Sequence, residues 1–128
     1  MEKGRDLALL AAGTIMPEAV AAARILAEKG FSAKVASFHT IKPLDTAYLE
    51  DAARRFKLLV TVEEHGKIGG LGGAVAEWRA RADCTARQLI IGADDEFMHV
   101  IGDQAYARAH FGLTGRQIAA SVLRALGA

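Results

Sequence analysis

Residues 57–74 read KLLVTVEEHGKIGGLGGA: an apolar, partly β-branched run, then three ionisable side chains, then five glycines within eight positions. This order predicts a buried strand over 57–62 that ends at a polar rim, a glycine turn, and a closely packed start of a helix. Glu63, Glu64 and His65 then emerge where an open α/β sheet presents its binding crevice.

Similar units lie on either side. Residues 6–12, DLALLAA, are stopped by Gly13 and predict a central strand by brevity and by the glycine, since alanine and leucine are weak strand formers. Thr14 is the expected cap of the next helix, whose apolar face is Val20, Ala23, Leu26 and Ala27, with a stop at Lys29-Gly30. Residues 33–38 form the second strand. Pro43 turns the loop, and Asp45 caps a helix over 46–56 with Tyr48, Leu49, Ala52 and Phe56 on its buried side. After the third strand comes a helix over 72–82, with Ala74, Val75 and Trp78 toward the sheet and Glu77, Arg79 and Arg81 toward water. Residues 87–91, RQLII, are the fourth strand. Residues 97–101 are a short apolar segment, 104–110 a short helix, and Thr114–Gln117 a capping box opening a helix that buries Ile118, Val122, Leu123 and Leu126. Alternating strands and helices joined by short links predict a parallel sheet covered on both faces.

At 128 residues the chain is expected to be a single domain over 1–128. It is 52% hydrophobic and 24% charged, which excludes a disordered chain. A net charge of +1 and an aromatic content of 6% argue against a nucleic-acid footprint. Cys84 is the sole cysteine, so neither an internal disulfide nor a paired-cysteine zinc site can form. No apolar run approaches the roughly 20 residues that span a bilayer, and the opening MEKGRD shows no secretory pattern. A cytoplasmic protein without membrane partners is the expectation.

The glycines do not spell a nucleotide fingerprint. A G-x-G-x-x-G run from Gly70 meets Val75 at its last position, and one from Gly69 meets Leu71 at its third. Two readings stay open for Gly69, Gly70, Gly72 and Gly73: an anion held by helix-terminal amides, or a turn permitting tight packing or subunit contact. Adjacent glutamates on a strand point to opposite faces, so Glu63 and Glu64 are not a carboxylate pair. One turns toward the core or an interface, and a buried carboxylate there needs a donor. His65 is either a strand-end polar cap or a partner of a carboxylate. His39 reads as a loop hydrogen bonder, His99 as half-buried in the apolar segment 97–101, His110 as a helix-end hydrogen bonder, and Asp94–Glu96 as a solvated turn rather than a calcium loop.

Taken together, residues 4–13 (GRDLALLAAG), 20–30 (VAAARILAEKG), 41–45 (IKPLD), 60–77 (VTVEEHGKIGGLGGAVAE) and 111–115 (FGLTG) resemble the C-terminal domain of transketolase-like enzymes. That group includes transketolase, deoxyxylulose-phosphate synthase and the β subunits of 2-oxoacid dehydrogenases. The resemblance implies a three-layer α/β/α domain with a mainly parallel sheet in the order 2-1-3-4, the family's N-terminal antiparallel strand being absent. It implies no catalytic, cofactor-binding or metal-binding residue in this chain. Thiamine diphosphate and a divalent cation belong to the complete enzyme, held by other domains or a partner subunit in a homo- or hetero-oligomer. Glu63, Glu64, His65, Gly69, Gly70, Gly72 and Gly73 are then candidates for an interface or a substrate channel. The function implied is support of assembly and of two-carbon ketol transfer between sugar phosphates, without activity alone. The alternatives are a stand-alone binding or assembly module taking an anion at the glycine turn, and a small enzyme using His65 with Glu63 or Glu64.

Overall fold

The computed structural model describes residues 6–38, 45–66, 70–82, 84–93 and 113–127, with the backbone alone at positions 13, 64–66 and 93. Four strands, β1 (Leu7–Ala11), β2 (Ala33–Ser37), β3 (Leu58–Gly66) and β4 (Arg87–Ala93), form one sheet in the order β2-β1-β3-β4. All the strand pairs are parallel, with Leu7 level with both Ala33 and Leu58, and Val62 level with Ala11 and Ile91. Among the described residues four α-helices accompany them: α1 (Met16–Glu28), α2 (Thr46–Arg55), α3 (Leu71–Ala82) and α4 (Gly115–Ala125).

The two-residue period of the strands sorts the core into two halves. Leu7, Leu9, Ala11, Leu58, Val60 and Val62 face α1 and α4, meeting Ala22, Leu26, Ile118 and Val122. Ala8, Leu10 and Leu59 face α2 and α3, meeting Leu49, Ala52, Leu71 and Val75. β1 is buried along its whole length. Flanked by strands on both edges and helices on both faces, its alanines and leucines are held extended by burial, which outweighs their poor intrinsic preference.

Helix ends follow local chemistry. The Asp45 carboxylate accepts from the Tyr48 amide at 3.0 Å, as expected of an N-cap. At α4 the Thr114 hydroxyl accepts from the Gln117 amide while the Gln117 side chain accepts from the Thr114 amide, completing the capping box. α4 is also tied to α1, because the Gly115 amide donates to Glu18 Oε1 at 2.8 Å. A Cβ at position 115 would stand 2.7 Å from the Ala21 Cβ, so only glycine lets the two helices approach this closely.

Several expectations are corrected. Thr14 does not cap α1: a 3₁₀ turn over Gly13–Ile15 precedes it, and Ile15 occupies the N-cap without a side-chain bond. The buried face of α1 is Ala19, Ala22 and Leu26, with Val20 and Ala23 at its margin and Ala27 exposed. Arg79 does not face water alone, because its guanidinium donates to the Ala86 carbonyl and pins the approach to β4 against α3. β3 and β4 run further than the apolar residues indicate, to Gly66 and Ala93. His39, Pro43, His99, His110, Asp94–Glu96 and the segments 97–101 and 104–110 lie outside the described residues.

Candidate functional site

The chain leaves β1 toward β2 and leaves β3 toward β4, so adjacent strands β1 and β3 define the topological switch point. The Ala12 amide donates to the Val62 carbonyl at 3.1 Å, and there the pairing of the two strands ends. β3 continues four residues further with β4 alone beside it among the described strands, through an irregularity between Glu63 and Gly66. The tip carrying Glu63, Glu64 and His65 therefore projects past β1 at the crevice.

Glu63 is 1% exposed and points, like Leu59 and Thr61, to the α3 side. Its Oε1 accepts from the Leu71 amide at 2.9 Å, and its Oε2 accepts from the Gly72 amide at 2.8 Å. Both bonds are charge-assisted and join a carboxylate to the positive end of α3. The donor that a buried carboxylate requires is thus the first turn of the next helix. With both oxygens engaged, Glu63 is not poised as a general base beside His65.

The same geometry explains two of the glycines. A Cβ on Gly70 would overlap the Glu63 carboxylate, and a Cβ on Gly72 would lie 2.7 Å from Ile90 Cγ2 and 3.1 Å from Thr61 Oγ1. Gly72 is held further by Gln88, whose side-chain amide donates to the Gly72 carbonyl at 3.0 Å and reaches Thr61 Oγ1 at 3.4 Å. Gly73 differs, since nothing lies within 4 Å of where its Cβ would be. Gly69 is outside the described residues, and Glu64 and His65 are described only as backbone of β3. The structure therefore joins Glu63, Gly70 and Gly72 in one polar knot and leaves Gly73 on an open part of α3. The sequence left open which glutamate turns inward. Period two alone does not choose between them, because Glu63 lines up with the buried Leu59 and Glu64 with the buried Val60 and Val62.

The amides of Leu71 and Gly72, which an external anion at this terminus would use, already have a carboxylate from the same chain. Among the described residues no cluster of His, Cys, Asp or Glu is arranged to hold a metal. No described helix is long and apolar enough to cross a membrane. At the other end of the sheet, a groove of about 560 Å³ runs between the last turns of α2 and α3, lined by Glu50, Arg54, Trp78 and Cys84 among others. On the α2 side, burial pushes the Tyr48 phenol above its usual value; Arg55 opposes this, and Asp51 and Asp45 add to it. The Tyr48 ring packs edge-on against Phe38 with centroids 5.7 Å apart, and among the described residues its buried hydroxyl has no hydrogen-bond partner.

Residues 1–118 match the family model described as transketolase, C-terminal domain. A putative transketolase C-terminal section of Methanocaldococcus jannaschii is 40% identical over 121 residues, which are 94% of this chain and 37% of that protein. The 1-deoxy-D-xylulose-5-phosphate synthase of Idiomarina loihiensis is 42% identical over 88% of this chain and 17% of its own length. Among solved structures, a split-gene transketolase described as an inactive β4 tetramer superposes with a TM-score of 0.85 and 34% identity, over 98% of this chain and 40% of that one. The transketolase of Campylobacter jejuni, at 15% identity and a TM-score of 0.60 over 96% of this chain and 17% of its own, shares the fold. The chain thus spans well under half the length of each of these proteins. The parallel order β2-β1-β3-β4 and the match along nearly all its residues make this chain a member of the transketolase C-terminal domain family.

Proposed function

We propose that this chain is the C-terminal, non-cofactor-binding section of a transketolase-like enzyme, acting with thiamine-diphosphate-binding domains or subunits. In that assembly it supports transfer of a two-carbon ketol unit between sugar phosphates. The observation that carries the reading is a match over 94% of this chain to a protein described as a transketolase C-terminal section. The likeness to a split-gene transketolase described as an inactive β4 tetramer favours a chain that self-associates without turnover.

The residues described here do not fit a diphosphate or its cation. The amino end of α3 is filled by Glu63, and no acidic or imidazole cluster stands beside it among the described residues. Thiamine diphosphate supplies a nucleophilic carbanion where it is bound, and no step of that chemistry is assigned to this chain. Its contribution is to present the projecting tip of β3, with Glu64, His65 and the face of α3 that carries Gly73, to the neighbouring domains. The cytoplasm is the compartment proposed for this assembly.

Mixing the chain with the thiamine-diphosphate-binding section encoded in the same genome tests the reading. Complex formation with ketol transfer between sugar phosphates is expected, and no turnover by either part alone. Turnover by the isolated chain with added cofactor would overturn it.

A further inference from the structure

β3 outruns β1 at the crevice. Beyond Val62 its tip has β4 on one side, no β1 residue on the other, and an irregular register between Glu63 and Gly66. Low local contact density makes a segment cheap to open, and among the described strands β4 alone flanks this tip. Glu63 lies at the first residue of that overhang and ties it to the first turn of α3 through two short bonds. The tie is enclosed: the side chain is 1% exposed, and only glycine at position 70 leaves room for the carboxylate.

We infer that Glu63 is a positioning residue, which takes the place of a bound anion at the amino end of α3 and thereby sets the β3 tip for docking. This rests on the proposed function, in which the switch-point face meets the cofactor-binding part of the enzyme. The carboxylate touches no reacting atom. It acts through the strand end it restrains, and it closes this helix terminus to substrate phosphate.

The test compares four forms of the chain: wild type, Glu63→Gln, Gly70→Ala and Val122→Ala. Gln keeps the shape but removes the charge and offers an amide group where an acceptor is needed. Gly70→Ala crowds the carboxylate from the other side, so it answers the question if Glu63→Gln does not fold. Val122→Ala weakens the core on the opposite face of the sheet and serves as the stability control. Each is titrated against the thiamine-diphosphate-binding section, with Tm and the amide resonances of Leu71 and Gly72 recorded for the chain alone. We expect Glu63→Gln and Gly70→Ala to move those two resonances and to raise Kd about tenfold, the equivalent of about 1.4 kcal/mol. Val122→Ala should lower Tm with Kd unchanged. Inorganic phosphate added to the wild type should leave both resonances in place.

Equal weakening by Val122→Ala at a matched Tm would overturn the inference, as would an unchanged Kd when the two resonances have moved. A saturable phosphate shift at Leu71 and Gly72 would also overturn it. Failure of the wild type to bind the cofactor-binding section overturns the proposed function, and the inference falls with it.

Discussion

The Glu63 carboxylate occupies the space that a side chain on Gly70 would need. Acid and glycine are therefore one device: the glycine admits the carboxylate, and the carboxylate satisfies the helix that begins at the next residue. Gly70→Ala should destabilise the isolated chain by about 2 kcal/mol, the ordinary cost of overpacking a filled site. Urea unfolding would show it as a lower midpoint with an unchanged slope.

Gly73 should behave in the opposite way. Its Cβ would meet open space in this chain, and its φ is not in the left-handed region. Gly73→Ala is expected to stabilise the chain alone by about 0.5–1 kcal/mol, since glycine within a helix is entropically costly. If α3 packs closely on a neighbouring domain, the same substitution should weaken that complex. Thermal unfolding and a binding titration together separate the two effects.

At α4, Thr114→Ala removes the hydroxyl that accepts from Gln117 and half of the capping box. The expected loss is about 1 kcal/mol. Thr114→Ser should restore most of it, because the acceptor is kept. Urea unfolding midpoints of the three forms check both statements.

Tyr48 gives the pH prediction. Burial, the largest cause, raises the folded pKa above the unfolded one, so the fold holds the neutral phenol more strongly than the unfolded chain does. That contribution is complete below about pH 10, the unfolded value, and is lost as pH rises through the higher folded value. Tyr48→Phe should therefore lose less stability than wild type above pH 10. Near neutrality it should be neutral or up to about 1 kcal/mol more stable, because the hydroxyl it deletes is buried without a partner among the described residues. Parallel pH series of chemical unfolding would show the two curves diverging only on the alkaline side.

Much of the fold follows from local chemistry that a sequence displays. Asp45 before an amphipathic run, Thr114 three residues ahead of Gln117, and the glycine after DLALLAA mark element ends where the structure has them. The parallel order β2-β1-β3-β4 came from family likeness, because hydrophobic period alone does not rank strands in space. The length of β3 was not legible: ionisable residues at 63–65 read as a rim, whereas Glu63 is buried by amides eight and nine residues ahead of it. A trace of this was present in the absence of Ser, Thr, Asp or Asn just before Leu71, which leaves the helix needing a cap from elsewhere. Arg79 departs from its expected solvent-facing place for a related reason, since its partner is a carbonyl on the link to β4 rather than a charge. Ala27 is exposed where an inward face is expected, because alanine is silent about which face of a helix it occupies.

The bond from Gly115 to Glu18 closes a loop of 97 residues. Until α4 has been synthesised and delivered onto α1, the strand residues beneath both helices keep a broad apolar surface uncovered. A nascent chain that has completed the four described strands is therefore still unfinished on one side, and contacts so distant in sequence form late. Chains truncated before residue 115 should accordingly engage chaperones or aggregate, even though they carry all four described strands.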